Sequence, residues 1–277
     1  DFQMNDTAHL ALGGTMGSSG YSDPAVSPMA GKGDQSYHMG CAMILHAITL
    51  ALYDRMTSGE GQFIDVGIHD VCAISTESAV PHWMYFGETL YRQTGMHANA
   101  KRVPPLELPT KDGKYVMAVN QALTDRTWNA MLAWMEEKGV DVGELRDPKY
   151  QDVAVRTAEY RQGTLTRDAI RKLIAASDAE EVFIRGQNMG LSWAMIRAAE
   201  ENYGLAHYQQ RDYWRNIEHP QIGKSIPYPK SPVTCEPLGI APRGRAPNLG
   251  EHTRAVLSKD LGLNETEIST LSAAGVI

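Results

Sequence analysis

A long apolar segment, followed by a glycine turn and a β-type segment, constrains the fold more than any other feature. Residues 38–56 are apolar nearly all round and rich in Ala, Gly and Thr, which predicts a helix packed on several sides. The turn Ser58–Gln62 (SGEGQ) has two glycines and ends this helix. Phe63–Ile68 (FIDVGI) alternates β-favouring residues and is predicted to be a strand. Helix, turn and strand in this order indicate the α/β fold class.

The other segments predict a hairpin, several helices and two loop-rich stretches. Residues 1–34 read as a short helix and a long loop, and Val71–Phe86 as a helix that ends at Pro81. Pro109–Val119 predicts two strands joined by a turn at Asp112-Gly113. Residues after Tyr203 are rich in proline and predict loops, and helices are predicted again only from Glu251 onwards. Further helices are predicted at Asp125–Lys138, Asp152–Gln162, Arg167–Ala176, Asp178–Arg185, Glu251–Gly262 and Asn264–Gly275.

Charge and hydropathy exclude two classes of partner. The formal net charge is −7, from 33 acidic and 26 basic residues, and no long run of Lys or Arg occurs. A nucleic-acid partner is therefore not expected, because it would require a concentrated basic face. The longest apolar run, Cys41–Tyr53, is shorter than the roughly 20 residues that cross a bilayer, so no membrane partner is expected either.

The cysteines predict neither a metal site nor a disulfide framework. Cys41, Cys72 and Cys235 are isolated, and none forms a CxxC pair. The apolar surroundings of Cys41 and Cys72 predict buried, inert thiols. This usage is typical of a reducing compartment, which predicts a cytoplasmic location.

Three stretches, taken together and in order, carry a family resemblance. Asp6–Gly20 (DTAHLALGGTMGSSG) is similar to D-x-x-x-Q-A-x-S-G followed by T-G. Ser58–Val66 is like T-G-x-G-Q-x-V-D-V, and Pro247–Ile277 is like P-x-L-G-E-H-T-x-x-V-L with a closing G-V. On these residues the chain resembles the class III CoA-transferase family, which contains formyl-CoA transferase, carnitine CoA-transferase-like enzymes and α-methylacyl-CoA racemases.

The resemblance implies an architecture. Family members have a large Rossmann-like α/β domain, a small α+β domain, a C-terminal segment that returns to the large domain, and an interlocked dimer. On this basis we expect residues 1–86 to be the later part of the large domain, without its N-terminal portion. Residues 87–108 would then be a linker, residues 109–215 the small α+β domain, and residues 216–277 the proline-rich return with C-terminal helices.

The resemblance also implies the chemistry. CoA is moved from an acyl-CoA donor to a carboxylic acid through an aspartyl anhydride and an aspartyl thioester. CoA thioester is the substrate, and no permanently bound cofactor or metal is expected. A homodimer is expected, and a heteromer with a homologous subunit is the alternative.

The stretch GKGDQSYHMG, residues 31–40, is the candidate site, because the family aspartate lies just before the buried helix. Asp34 is the carboxylate there and the candidate nucleophile, with His38 as a second candidate catalytic residue. The flanking candidates for substrate binding are Gly31, Gly33, Ser36 and Tyr37.

The spacing of Asp34 leaves two functions open. The family aspartate stands roughly 21 to 22 residues before the first residue of T-G-x-G-Q, whereas Asp34 is 24 residues before Ser58. Counting 21 to 22 residues back from Ser58 leads to Ser36 or Tyr37 instead. Either a small insertion keeps Asp34 as the nucleophile, or the nucleophile is lost. In the second case the chain is a non-catalytic subunit of a heteromeric transferase, or a lyase or isomerase that uses His38. A further alternative is an α-methylacyl-CoA racemase-like enzyme, in which an Asp and a His exchange the α-proton as acid and base.

Each candidate also has a structural interpretation. Asp34 could cap the following helix, and His38 could be an ordinary residue of its first turn. Asp6 matches a family position and could organise the first loop or cap the first helix. Arg243 and Arg245 could approach a phosphate, although a solvated loop is the simpler interpretation.

Overall fold

Two separate units make up the chain in the structure, a computed structural model. It describes residues 3–76, 78–118, 124–162, 164–235 and 239–277. The first unit ends at Ile196, and the second begins at Arg197. Val119, the last residue of the predicted hairpin, and residue 77, inside the predicted helix Val71–Phe86, lie outside the described residues.

Helices dominate the described part of the first unit. They are α1 (Asp6–Leu12), α2 (Thr15–Ser18), α3 (Gln35–Ser58), α4 (Ile68–Ile74), α5 (Ala79–Phe86), α6 (Asp125–Glu137), α7 (Val153–Gln162), α8 (Leu165–Ala175) and α9 (Ala179–Asn188). The strands of this unit are β1 (Tyr91–Gln93), β2 (Met96–Asn99), β3 (Glu107–Pro109), β4 (Tyr115–Met117) and β5 (Ala194–Met195).

The described part of the second unit contains one hairpin, three α-helices and two short 3-10 helices, Ala199–Gly204 and Pro220–Ile222. Its elements are α10 (Ala206–Gln210), β6 (Trp214–His219), β7 (Lys224–Pro229), α11 (Thr253–Lys259) and α12 (Glu265–Ala273). The helix predicted at Asn264–Gly275 is confirmed as α12, and its first turn is capped: the Asn264 side chain accepts from the Glu267 N–H, and the Glu267 carboxylate accepts from the Asn264 N–H.

The described strands form three small antiparallel sheets. β1 pairs with β2, β4 lies between β3 and β5, and β6 pairs with β7. The predicted hairpin is confirmed: Leu108 of β3 lies opposite Val116 of β4, and the turn contains Gly113 at a φ of 75°. The mixture of helices and sheets agrees with the predicted α/β class.

One core holds the sheet β3–β4–β5 against α6, α8 and α9. α8 has a clear apolar face, and its Leu173 and Ile174 are fully buried beside Trp134 of α6 and Trp193, which precedes β5. Burying each of these side chains stabilises the fold by about 1.5 to 3 kcal/mol. The three predicted helices that correspond to α6, α8 and α9 are confirmed within a few residues.

The predicted strand Phe63–Ile68 is wrong. The described residues 61–67 adopt no regular structure, and Ile68 already begins α4. Phe63 is 94% exposed. A strand requires a neighbour for its backbone hydrogen bonds, and none of the described strands pairs with this segment.

The predicted helix His38–Met56 is confirmed as α3, but its predicted packing on several sides is wrong for the described chain. Only Ser36 and Gly40 of α3 are buried. Cys41 is accordingly exposed, which corrects the expectation of a buried thiol, whereas Cys72 of α4 is fully buried as predicted. The described elements that pack on α3 are chiefly α1 and α4, so much of its apolar surface is uncovered.

Two local predictions between α4 and β3 need correction. The single helix predicted from Val71 to Pro81 is instead two helices. α4 ends at Ile74, and α5 begins at Ala79 and runs to Phe86, because Pro81 lies in its first turn, where its missing N–H is not needed. Residues 87–108, expected to be a linker, contain the β1–β2 hairpin. Strands of three and four residues are too short to show a clear period.

Candidate active site

Asp34, the residue just before α3, has an unusual backbone conformation. We call this N-terminal end of α3, Asp34 with the first turn, the mouth of the helix. Asp34 has a φ of 55° and a ψ of 44°, which is left-handed, and Gly33 before it has a φ of 85°. A left-handed conformation costs a non-glycine residue on the order of 1 kcal/mol or more, and Asp tolerates it better than most. The Asp34 side chain is exposed and makes no hydrogen bond to the first turn of α3. Helix capping by Asp34, the structural interpretation of this residue, is therefore wrong.

Asp6 does the capping instead. Its Oδ1 accepts a hydrogen bond from the Ser36 N–H at 2.8 Å and another from the Ser36 hydroxyl at 2.7 Å. Ser36 is the second residue of α3 and is fully buried. The cap of α1 is a different residue, Asn5, which accepts from the Ala8 N–H at 2.9 Å. Asp6 of α1 thus accepts the hydrogen bonds from Ser36 in the first turn of α3, and the Asp34 carboxylate makes no capping hydrogen bond.

The electrostatics of this contact favour an ionised Asp6. The hydrogen bonds from the hydroxyl and the backbone of Ser36 hold the pKa of Asp6 below its usual range, and His9 and His38 lower the pKa further. Burial opposes this shift. A negative charge near the first turn of a helix is also stabilised by the helix dipole.

The other predicted site residues surround this mouth but play different parts. His38 is exposed and lies one turn after Asp34, whose carbonyl accepts from the His38 N–H at 3.0 Å. The Tyr37 ring meets the His9 ring edge-on, with centroids 6.1 Å apart. Gly31 is close to Gln35, since a Cβ at Gly31 would come within 2.9 Å of its Cγ.

Two backbone donors remain at the mouth of α3. Among the described residues, the N–H groups of Gln35 and Tyr37 donate no hydrogen bond, whereas those of Ser36 and His38 are used by Asp6 and Asp34. Such N–H groups at a helix N-terminus suit an anion that develops near Asp34.

A cavity of about 610 Å³, cavity A, lies elsewhere in the first unit. It lies between the turn around α2, the loop after α4, and the β1–β2 hairpin. Its lining includes Thr15, Ser19, Met29, Ser78, Met96 and Glu107. Asp34 does not line cavity A, but it is five residues from Met29, so the two Cα atoms are at most about 18 Å apart.

Two residues that line cavity A carry buried polar atoms without protein partners. Thr15 Oγ1 and Glu107 Oε2 are buried and have no hydrogen-bond partner among the described residues. The Glu107 carboxylate occupies the space in which a Cβ would stand at Gly95, in the turn between β1 and β2. Buried polar atoms without partners carry a free-energy penalty, and a ligand that donates a hydrogen bond would remove it.

The arginines considered for phosphate binding differ in availability. Arg245 forms two hydrogen bonds with the Glu251 carboxylate, each of 2.9 Å. The Arg245 guanidinium and the Asn248 N–H lower the pKa of Glu251 to about 2. Arg245 is thus committed to a structural ion pair, and Arg243 is exposed.

Sequence reasoning missed the roles of Asp6 and Glu107. Asp6 matched a family position, but its partner is 30 residues away, and no local pattern predicts such a contact. Gly95 was the sequence signal for the position of Glu107. A glycine in a short hairpin turn indicates either a left-handed φ or the close approach of another group to its backbone. Gly95 has both, because its φ is 68° and the Glu107 carboxylate lies against it. Among the described residues, no group of three or more His, Cys, Asp or Glu could hold a metal.

Comparisons with known proteins agree with the sequence resemblance. The description "CoA-transferase family III" belongs to the family model that matches residues 3–253. Succinyl-CoA:(R)-benzylsuccinate CoA-transferase subunit BbsE of Thauera aromatica is 26% identical over 251 residues, covering 90% of this chain and 60% of the relative. Succinyl-CoA:mesaconate CoA-transferase of Haloarcula marismortui is 26% identical, covering 95% of this chain and 63% of the relative. The chain thus spans about 60% of the length of these relatives.

Solved structures share the fold. A CaiB/BaiF family protein from Brucella suis superposes with a TM-score of 0.66 at 18% identity, covering 92% of this chain and 62% of that one. Rv3272 from Mycobacterium tuberculosis gives a TM-score of 0.62 at 16% identity, covering 91% of this chain and 63% of that one. No helix among the described residues is long and apolar enough to cross a membrane.

Proposed function

Because this chain belongs to CoA-transferase family III, we propose that it catalyses the transfer of CoA from an acyl-CoA to an organic acid, with Asp34 as the nucleophile. The observation that carries this proposal is the conformation of Asp34 beside the Asp6 cap. A left-handed aspartate whose carboxylate is not needed by its own helix is held for another purpose.

The proposed reaction proceeds through Asp34 in balanced steps. The Asp34 carboxylate attacks the thioester carbonyl, and the C–S bond breaks to give a mixed anhydride and the CoA thiolate. The thiolate then attacks the aspartyl carbonyl, which releases the donor acid and leaves an aspartyl-CoA thioester. The acceptor carboxylate repeats these two steps in reverse, which forms the new acyl-CoA and restores Asp34.

The first turn of α3 would stabilise the intermediates. Each attack gives a tetrahedral oxyanion, and the N–H groups of Gln35 and Tyr37 are donors that no described residue uses. Removing one donor of this kind costs enzymes on the order of 100- to 1000-fold in rate. In this proposal Asp6 orients the turn, and His38 lies at its edge as the second candidate group.

Cavity A is the proposed site for the uncharged part of the substrate. Its walls combine Met29, Met96 and other apolar side chains with the hydroxyl of Thr15 and the Glu107 carboxylate. A thioester arm with amide and hydroxyl donors fits these unsatisfied acceptors. For the substrates we propose only a class: a succinyl-CoA donor and a small organic acid as acceptor, as in the names of the relatives.

A second polypeptide is part of the proposal. α3 and α5 expose large apolar side chains, including Met56 at 84%, Trp83 at 60% and Tyr85 at 83%. Monomeric proteins rarely leave so much apolar surface in water. We therefore propose an interlocked dimer, in which residues 1–86 belong to a Rossmann-like large domain and residues 109–215 to the small domain.

The second candidate function is a non-catalytic subunit of a heteromeric transferase. Two observations favour it: Asp34 is exposed and does not line cavity A, and similar proteins are named as subunits, such as the β subunit of a succinyl-CoA–L-malate CoA-transferase from Chloroflexus aurantiacus. An isomerase is the third outcome to test, since 2-methylfumaryl-CoA isomerase of the same organism is 25% identical.

The test compares Asp34→Asn with Asp65→Asn, a matched change of an exposed carboxylate beyond the other end of α3. With succinyl-CoA and a panel of organic acids, Asp34→Asn should lower turnover at least about 1000-fold, whereas Asp65→Asn should stay near wild type. Full turnover in Asp34→Asn would show that Asp34 is not the nucleophile. Activity that appears only after a homologous chain is added would instead support the subunit. Exchange of the α-proton without an acceptor acid would support the isomerase.

A further inference from the structure

A largely exposed loop, residues 20–29, closes on itself beside cavity A. A Cβ at Gly20 would come within 3.3 Å of the Met29 Cβ, so the two ends of the loop are in contact. Gly20 and Met29 both line cavity A, and the residues between them form neither helix nor strand. Compact surface loops whose ends meet are frequently functional. This loop contributes to the wall of the cavity, and the chain continues from it to Asp34.

The side chain of Arg92, in β1, holds the middle of this loop. Its Nη2 atom donates hydrogen bonds to three backbone carbonyls of the loop, those of Asp23 at 3.1 Å, Pro24 at 3.4 Å and Val26. Arg92 Nη1 is buried, so this end of the side chain is shielded from water. Hydrogen bonds from a charged donor are roughly twice as strong as those between neutral groups. Arg92 is therefore a strong link between β1 and the loop.

A second contact joins the same loop to the turn after β1. The Ser22 N–H donates to Thr94 Oγ1 at 3.0 Å, and the Thr94 N–H donates to Ser22 Oγ at 2.8 Å. Thr94 precedes Gly95 and Met96, which also line cavity A. Residues 23–29 are all exposed, so little buried apolar surface holds the loop in place. Its position therefore depends on the hydrogen bonds to the β1–β2 hairpin.

We propose that Arg92 is a positioning residue for substrate binding, which holds the loop 20–29 in the form that completes cavity A. This inference rests on the proposed function, in which cavity A takes the thioester arm. Arg92 does not itself line cavity A, so it acts through the loop. Without Arg92 the loop must be ordered when the substrate binds, and that ordering costs part of the binding free energy. Affinity for the CoA moiety should therefore fall, whereas the chemistry at Asp34 should change less.

Calorimetry with coenzyme A measures this affinity without any turnover. Arg92→Ala should bind coenzyme A about 10-fold more weakly than wild type, because the loop is no longer ordered in advance. Arg92→Lys keeps a charged donor and should recover part of the loss. Arg102→Ala removes an exposed arginine that does not line cavity A, and it should bind like wild type. Equal affinity in Arg92→Ala and wild type would overturn the inference.

Hydrogen exchange separates a positioning role from a loss of the fold. In Arg92→Ala, the Ser22 and Val26 amides, which donate to Thr94 and Asp23, should lose protection, whereas the buried helix α8 should keep it. Thr94→Val removes the second contact and should reduce loop protection and coenzyme A binding in the same direction. If Arg92→Ala does not fold, Thr94→Val and Arg92→Lys decide. Wild-type protection and binding in both of these variants would overturn the inference.

Kinetics separate this inference from the proposed function. Arg92→Ala should raise the KM for acyl-CoA about 10-fold and leave kcat within about threefold, whereas Asp34→Asn should lose kcat. A lower kcat with an unchanged KM in Arg92→Ala would overturn the inference alone. Coenzyme A binding that depends on Arg92 in a chain without turnover would support the role of the loop and count against Asp34 as the nucleophile. A wild-type chain that does not bind coenzyme A would overturn both.

Discussion

Asp6 and Ser36, 30 residues apart, are joined by two hydrogen bonds to a single oxygen, Oδ1 of Asp6. This contact connects α1 to the first turn of α3 and leaves the neighbouring Asp34 carboxylate unengaged by the helix. The two aspartates thus differ in role: Asp6 caps α3, and Asp34 is left as the proposed nucleophile.

Removing the Asp6 carboxylate should loosen the mouth of α3. We expect Asp6→Ala to lower the thermal unfolding midpoint and the transferase rate together, because the buried Ser36 donors lose their acceptor. Asp6→Asn keeps an oxygen at Oδ1 and should have the smaller effect. Equal behaviour of Asp6→Ala and wild type in both measurements would show that the cap is dispensable.

The pair Gly95 and Glu107 predicts a steric effect that can be isolated. Gly95→Ala adds a Cβ where the Glu107 carboxylate stands and also strains a φ of 68°. Gly113→Ala is the matched control, because its φ is 75° but nothing lies near the added Cβ. Both should destabilise the protein by about 1 kcal/mol or more, as measured by denaturant unfolding, and Gly95→Ala should exceed Gly113→Ala only by the cost of turning the Glu107 side chain away.

A double variant completes this comparison. Glu107→Ala should recover part of the loss in Gly95→Ala, because it removes the group with which the Cβ collides, and it should not rescue Gly113→Ala. A loss of stability in Gly95→Ala that Glu107→Ala leaves unchanged would mean that the collision is absent.

The ion pair between Arg245 and Glu251 predicts a dependence on pH. The pKa of Glu251 in the folded chain is about 2, below its ordinary value of 4.5. The pair therefore stabilises the segment fully above about pH 4.5, and this stabilisation is lost as the pH falls through about 2. We expect the protection of the amides of residues 245–251, measured as their exchange relative to the intrinsic rate at the same pH, to fall on acidification, and Glu251→Gln to show low protection at neutral pH already.

A control belongs with that measurement. Glu218→Gln changes an exposed carboxylate of β6 in the same unit and should leave exchange in residues 245–251 as in wild type. Slow exchange in Glu251→Gln at neutral pH would show that the ion pair does not hold this segment.

The exposed apolar surface predicts association. Met56→Glu places a charge on α3 where a partner chain is proposed, and it should lower the mass measured by sedimentation velocity. Leu261→Glu, at a residue that is also exposed but lies in the second unit, is the control. An unchanged mass in Met56→Glu would place the interface elsewhere.

Local sequence predicted α3 and the hairpin β3–β4 well. α3 ends at a glycine turn, and the hairpin turn contains Gly113 at positive φ, so both are set by neighbouring residues. Phe63–Ile68 failed as a strand because a strand needs a partner, which local pattern cannot supply. The burial expected for Cys41 failed for a related reason, since burial depends on what covers the helix.

The candidate site was predictable only in part. The residues before α3 pointed to Asp34, but the sequence could not decide whether Asp34 caps the helix. That answer came from Asp6, through a contact across 30 residues. Cavity A depends likewise on segments brought together by the fold, so no short motif encodes it.

Trapping the acyl-enzyme tests the central claim most directly. The protein is incubated with acyl-CoA and quenched with hydroxylamine, and its peptides are mapped by mass spectrometry. We expect a hydroxamate on Asp34 that depends on acyl-CoA and is absent in Asp34→Asn. A hydroxamate on another carboxylate, or turnover without any modified aspartate, would contradict the account.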